Sequence, residues 1–256
     1  MTLPQFYDDL AAYYDLIFED WDASMARQGA AITQLLESEL GASGSPGSTR
    51  LLDAACGIGT QALPLAARGF RVTGRDLSPA TVARLGREAS ARGLPVEGGV
   101  ADMRRVASTV AGPFDAVLAF DNSIPHLLTD ADILTAFRQF KAVLRPGGLC
   151  LCSVRDYDQL QRGVPATHRY GERTREAERF HLWQEWAWSD PMHYDMTMVI
   201  ERDSPGDPAT VLRVTTQYYA VSVDRLIDLM GQAGLVDCRR VDGLIYQPVL
   251  LGRCEP

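Results

Sequence analysis

Nothing in the sequence points away from an aqueous compartment. The first twenty residues lack a basic region followed by an apolar run, so no secretory signal is expected. No uncharged apolar run approaches the length of a bilayer crossing, so no membrane-spanning helix is expected. Cysteine is scarce and odd in number, with five residues at Cys56, Cys150, Cys152, Cys238 and Cys254. There is no CxxC and no His/Cys cluster at metal-ligand spacing, which argues against a disulfide scaffold and against a metal site. Reduced thiols in a cytoplasm are expected. Positive charge is also short: 25 Lys and Arg face 33 Asp and Glu, a net charge of −8. An acidic body repels polyanions, so nucleic acid is not an expected partner. The richest basic stretch, residues 162–179, includes Glu172, Glu176 and Glu178 and reads as a solvated loop or helix. No repeat at solenoid periods is present.

What is present suits one large α/β domain. The chain has 256 residues, 46% of them hydrophobic, enough for a full core. Residues 5–40 read as helical, with Leu10, Tyr13, Tyr14, Ile17 and Phe18 and then Ile32, Leu35 and Leu36 at helical spacing. Residues 41–48, rich in Gly and Ser, read as a flexible linker. Strands are then predicted at residues 50–54, 71–75, 96–100, 114–120 and 148–154. Helices are predicted between them at 60–68, 78–92 and 130–144. That alternation indicates parallel crossovers and a doubly wound sheet. Arg145-Pro-Gly-Gly148 reads as a helix stop and turn.

The last hundred residues change character. Runs at 180–188, 193–202 and 211–219 are β-rich and separated by turn signals such as Ser204-Pro-Gly-Asp207, which suggests an antiparallel insertion at about 160–220. A helix at 222–233 and a strand pair at 235–241 and 246–253 would close the fold with a terminal hairpin. Residues 49–256 thus form the core, and residues 1–48 precede it as a helical cap.

The richest stretch chemically is Leu51-Leu-Asp-Ala-Ala-Cys-Gly-Ile-Gly-Thr60. A buried strand runs into Gly57 and Gly59, where a bare backbone can approach a ligand. Asp53 ends the strand, positioned to accept hydrogen bonds from a ligand ammonium or from nearby backbone. Gly57-Ile-Gly-Thr-Gln-Ala62 also satisfies the relaxed dinucleotide fingerprint, so an NAD-dependent oxidoreductase stays open here. Asp76, 19 positions after Gly57, ends the second strand where an acid holds ribose hydroxyls in either class. Ala101-Asp-Met103 after the third strand and Phe120-Asp-Asn-Ser123 after the fourth favour a methyltransferase.

Taken in order, these segments resemble the class I S-adenosylmethionine-dependent methyltransferases, and within them the glycine/sarcosine N-methyltransferases. The resemblance covers nearly the whole chain. It rests on Tyr14-Asp-Leu-Ile-Phe-Glu-Asp-Trp21, Arg27-Gln-Gly29, Asp53-Ala-Ala-Cys-Gly-Ile-Gly-Thr60, Asp76-Leu-Ser78, Ala101-Asp-Met-Arg104, Asp121-Asn-Ser-Ile-Pro-His-Leu127, Arg155-Asp-Tyr157 and Tyr246-Gln-Pro248. It implies a Rossmann-like methyltransferase fold, an S-adenosylmethionine cofactor under the N-terminal cap, and transfer to a small-molecule amine. Related sequences N-methylate amino acids, and others act in antibiotic or sugar tailoring. O-methylation of a small natural product is the nearest alternative.

The resemblance also implies residue roles. Arg27 would grip the cofactor carboxylate, its planar fork suiting that group, unless it is a surface arginine. Ala54, Gly57 and Gly59 would admit the methionine part. Asp76 with Leu77 would hold the ribose, and Asp102 with Met103 would cover adenine beside Phe120. Tyr14 and Trp21 would line the sulfonium pocket, or simply pack in the core. On the substrate side stand Tyr7, Asn122, His126, Arg155 and Tyr246. Asn122 offers both an acceptor and donors, or satisfies its own turn. His126 is a proton acceptor or a packed histidine. Arg155 pairs with a substrate carboxylate, as the matching arginine does in the resembled enzymes, or with Asp156 or Asp158. Tyr246 faces the substrate or packs in its strand. The aromatics Phe180, Trp183, Trp186, Trp188, Tyr194, Tyr218 and Tyr219 cover the acceptor pocket, form a homo-oligomer surface, or build a second core.

Overall fold

Thr2 starts the first helix, α1 (Leu3–Leu10), by accepting a hydrogen bond from the Gln5 amide, with Pro4 in the first turn where a missing N–H costs little. The computed structural model describes residues 1–203 and 208–255. It breaks the continuous helix expected over residues 5–40. A turn and a 3₁₀ segment, Tyr14–Ile17, intervene, and α2 (Trp21–Leu40) starts afresh where the Asp20 carboxylate accepts from the Ala23 amide at 2.9 Å. The two halves face different cores. Phe6, Leu10 and Leu16 pack into one, and Met25, Ile32 and Leu36 into another. Their helical spacing therefore continues across a chain reversal. Residues 41–48, expected as a linker, include a 3₁₀ turn at Gly41–Gly44.

Five strands and three crossover helices follow: β1 (Arg50–Asp53), α3 (Ala62–Ala67), β2 (Arg71–Asp76), α4 (Pro79–Ala91), β3 (Val96–Val100), β4 (Phe114–Ala119), α5 (Asp130–Val143) and β5 (Leu144–Ser153). Ser78 caps α4 through the Thr81 amide, and Thr129 caps α5 through Asp132. Neighbouring core strands pair in parallel. Arg145 to Gly148, expected as a turn, already belongs to β5.

Next comes a four-stranded antiparallel sheet in chain order: β6 (Ala166–Arg175), β7 (Glu178–Trp188), β8 (His193–Asp203) and β9 (Thr210–Tyr219). β6 occupies the stretch expected to be a solvated loop or helix. It is an edge strand with most side chains exposed, so no apolar alternation marks it. Arg173 donates to the Phe18 carbonyl and Arg175 pairs with Asp15, both at 2.8 Å, tying the edge to the amino-terminal segment. The turn signal at residues 204–207 lies outside the described residues. Phe180, Trp186, Tyr194 and Tyr218 are buried with Phe6, Leu10 and Leu16, so the aromatic face of this sheet makes a second core.

After α6 (Val223–Gln232), β10 (Val236–Val241) and β11 (Val249–Arg253) add the terminal antiparallel hairpin, with β11 against β5. β11 starts at Val249, not at Tyr246 as expected, because Pro248 has no amide for a ladder bond. The seven-stranded order is β10-β11-β5-β4-β1-β2-β3. Alternate residues feed opposite faces. Leu52 and Val117 pack towards α5 and α6, while Leu51 and Leu118 pack towards α2 and α3. The order in which strands are added reverses between the parallel neighbours β1 and β4, and open α/β sheets bind ligands beyond the carboxyl ends of strands at such a point.

Candidate active site

A cavity of about 640 Å³ opens there, floored by the loops after β1, β2, β3 and β4 and roofed by Leu3, Pro4 and Tyr7 of α1. Gly57 borders it at φ +49°, with no atom within 4 Å of where a Cβ would project, so the backbone is bare towards the space. The Gly57 amide donates to the Asp76 carboxylate at 2.8 Å. The other Asp76 oxygen accepts from the Ser78 amide at 2.9 Å and the Thr81 hydroxyl at 3.2 Å. Asp76 itself lines the cavity. Ala54, Leu77, Asp102, Met103 and Phe120 line the same space. Burial pushes the Asp102 carboxyl upward, but hydrogen bonds from the Arg104 side chain and amide outweigh it and hold the group below its ordinary range.

Three expected cofactor residues lie outside both this cavity and its neighbour, and Arg27 borders only the neighbour. Gly59, at φ +105°, faces α3 and α4; a Cβ there would sit 2.7 Å from Leu63 and Leu85. Its bareness serves helix packing. Trp21 donates from its indole to the Thr60 hydroxyl at 3.1 Å and stacks beneath Arg84 and Arg92, outside both cavities of the site. Asp53 is fully buried behind the wall. One oxygen accepts from the Ala55 amide at 3.4 Å, while Oδ2 has no partner among the described residues. Burial pushes its pKa up to about 8.

A second cavity of about 590 Å³ meets the first at Tyr7, Tyr14 and Asp121, which border both. Arg27, exposed on α2, borders the second. The Tyr7 hydroxyl lies 2.6 Å from His126 Nε2, and His126 Nδ1 lies 3.3 Å from the Gln217 carbonyl. A carbonyl only accepts, so Nδ1 carries the hydrogen and Nε2 accepts from Tyr7. Burial pushes His126 down to about 3, so it is neutral.

Arg155 borders the second cavity just past β5. Neither ion pair weighed for it forms: Asp156 pairs with Arg240 at 2.7 Å and Asp158 with Arg162 at 3.3 Å. Its guanidinium donates to the Tyr194 hydroxyl at 2.9 Å and lies 4.8 Å from the Trp186 ring centre, with no carboxylate partner among the described residues. Asn122 borders neither cavity. Its amide donates to the Tyr157 hydroxyl at 2.8 Å and its oxygen accepts from the Arg155 amide at 2.9 Å, so it braces the loop. Tyr246 borders the second cavity from an exposed loop position and donates to Asp121 at 2.7 Å.

Asp121 is the residue that sequence reasoning passed over in favour of its neighbour. Asp121 and Asn122 both have positive φ, 55° and 63°. That double left-handed turn directs Asn122 onto Tyr157 and leaves Asp121 on both cavities. Its place at the end of β4 was the one available signal. Among the described residues, no group of His, Cys, Asp and Glu could hold a metal ion, and no helix is long and apolar enough to cross a membrane.

The family described as a methyltransferase domain matches residues 51–148. A glycine/sarcosine N-methyltransferase of Parasynechococcus marenigrum (strain WH8102) is 30% identical over 165 residues, covering 64% of this chain and 56% of that one. The chain thus spans about half the length of the curated relatives it matches. Streptomyces venezuelae DesVI superposes with a TM-score of 0.79 at 18% identity, over 96% of this chain and 98% of that one. CalS10, an amino pentose methyltransferase from Micromonospora echinaspora involved in calicheamicin biosynthesis, superposes with a TM-score of 0.76 at 19% identity, over 94% of both. These two likenesses are of fold. With the matched domain and the ordered segments on its strand ends, the chain is similar to the class I S-adenosylmethionine-dependent methyltransferases.

Proposed function

We propose that the chain transfers a methyl group from S-adenosylmethionine to the nitrogen of a small-molecule amine. The observation that carries this reading is the meeting of two cavities at Tyr7, Tyr14 and Asp121, one bordered by the cofactor-type residues and the other by an arginine without an acid. The residues fit the cofactor. Gly57 offers bare backbone, Asp76 lines the cavity as a carboxylate able to meet ribose hydroxyls, and Asp102 with Met103 flanks the place for adenine. Within residues 1–48, the segment from α1 to Tyr14 acts as the cap, through Leu3, Pro4, Tyr7 and Tyr14, while α2 packs in the sheet core. When bound, S-adenosylmethionine would supply an electrophilic methyl group on sulfur, with the thioether as leaving group.

The protein supplies alignment. An acceptor nitrogen attacks only as the free base. Asp121 is the carboxylate at hand to receive the departing proton; burial raises its affinity for protons, against hydrogen bonds from Tyr246 and Gln61. Tyr7, its hydrogen committed to His126, turns oxygen lone pairs to the amine hydrogens. His126 orients Tyr7 and is too weak a base to keep its proton. Arg155 receives an anionic group of the acceptor, such as an amino-acid carboxylate. The N-methyltransferase name of the cyanobacterial relative supports nitrogen over oxygen. Incubation with S-adenosylmethionine and amines, from glycine and sarcosine to amino sugars, should yield a product one methyl heavier on nitrogen. Transfer to hydroxyl compounds alone would move the reading to O-methylation.

A further inference from the structure

The second cavity has an uneven character. Arg155 and Asp121 border it with opposite charges, and neither joins an ion pair among the described residues. Of the other charges around it, Asp156 is neutralised by Arg240, and Glu19 and Arg27 are exposed at the rim. Withdrawing a charge from water without a counter-charge is costly, so both sites gain from a ligand that brings the missing partners. Beside polar Tyr170, Gln184 and Gln247, the lining carries an apolar set: Ile17, Phe18, Leu160, Met196 and Met198. The methionines are buried, and their unbranched thioethers adapt to irregular apolar shapes. At about 590 Å³ the space is that of a drug-sized ligand, and glycine would fill a small part of it.

We propose that the acceptor is an amino-acid-like zwitterion carrying a bulky apolar body, its ammonium against Asp121, its carboxylate against Arg155, and its body along Ile17, Phe18, Met196 and Met198. This rests on the preceding reading of the site, and it makes glycine and sarcosine poor acceptors. Asp121 discriminates for the amine, and the apolar wall for size. Arg155 keeps its stacking on Trp186 while a carboxylate takes donors that Tyr194 leaves free.

The test uses the full chain saturated with S-adenosylhomocysteine and four calorimetric probes: L-phenylalanine, phenethylamine, 3-phenylpropionate and glycine. Phenylalanine should bind at least about tenfold tighter than glycine and tighter than either single-charge analogue. Asp121→Asn, which keeps the oxygen that Tyr246 donates to, should weaken phenylalanine and phenethylamine by about tenfold and leave 3-phenylpropionate unchanged. Arg155→Gln should show the mirror pattern, with Arg155→Lys restoring part of it. S-adenosylhomocysteine affinity in each variant verifies the fold. Glycine binding as tightly as phenylalanine, or an Asp121→Asn effect equal on all four probes, overturns the proposal and leaves methyl transfer standing. Failure of the wild-type chain to bind S-adenosylhomocysteine overturns the reading beneath it, and the proposal with it.

Discussion

The Tyr7 hydroxyl donates to His126 Nε2 across 2.6 Å, joining the amino-terminal helix to the loop after β4 at the seam between the two cavities. Burial pushes the Tyr7 phenol well above its ordinary range, so it stays protonated and its hydrogen stays on the histidine. Tyr7→Phe removes the oxygen and keeps the ring. Its turnover number should fall about 10- to 100-fold, while S-adenosylhomocysteine affinity changes little. Steady-state kinetics beside calorimetry separates the two. Equal losses in both would assign Tyr7 to cofactor binding.

His126 carries a stability cost in acid. Its native pKa of about 3 lies below the ordinary 6.5 because burial disfavours the charged ring. Between those values the unfolded chain binds a proton that the native chain refuses. Stability is therefore full above about pH 6.5 and falls as pH drops, by up to about 1.4 kcal/mol per unit from this group. His126→Gln should flatten the slope of unfolding free energy against pH by about one proton between about pH 4.5 and 6.5. Parallel slopes for the two proteins would contradict the assignment.

Two glycines one residue apart should fail differently. Gly57→Ala places a methyl in open space at a left-handed position, costing about 1–2 kcal/mol of stability, and should lower S-adenosylhomocysteine affinity at least about tenfold. Gly59→Ala drives its methyl into Leu63 and Leu85, adding an overpacking cost of about 1–3 kcal/mol to the backbone strain. It should unfold at lower denaturant than Gly57→Ala. The reverse order would exchange their assigned roles.

That contrast shows how far a sequence can be read. Gly57, Asp76 and Asp102 sit at strand ends, and strand ends follow from period and turn signals alone. Gly59 has the same one-dimensional signature as Gly57, and only the positions of α3 and α4 separate packing from ligand approach. Trp21 lies in a segment with aromatic residues at helical spacing, yet Asp20 starts a new helix and turns the ring onto Thr60. Asp121 takes the cavity position expected of Asn122 through two consecutive positive φ angles, which neither residue type announces. β6 was invisible because an edge strand with both faces largely wet has no apolar alternation to find. The centre of the seven-stranded sheet was legible because the buried strands β1, β4, β5 and β11 declare themselves by apolar content, whereas β3 and β10, largely exposed, follow from their place between helices and turns.

The most direct measurement is calorimetric titration of S-adenosylhomocysteine into the wild-type chain and into Asp76→Ala, with Asp76→Asn as a milder partner. Asp76 holds Gly57, Ser78 and Thr81 in place and lines the cavity proposed for the cofactor. The wild type should bind one equivalent. The alanine variant should lose at least about 100-fold in affinity, or about 2.7 kcal/mol, and the asparagine variant less. No binding by the wild type, or equal binding by all three, would contradict the account and place any cofactor elsewhere.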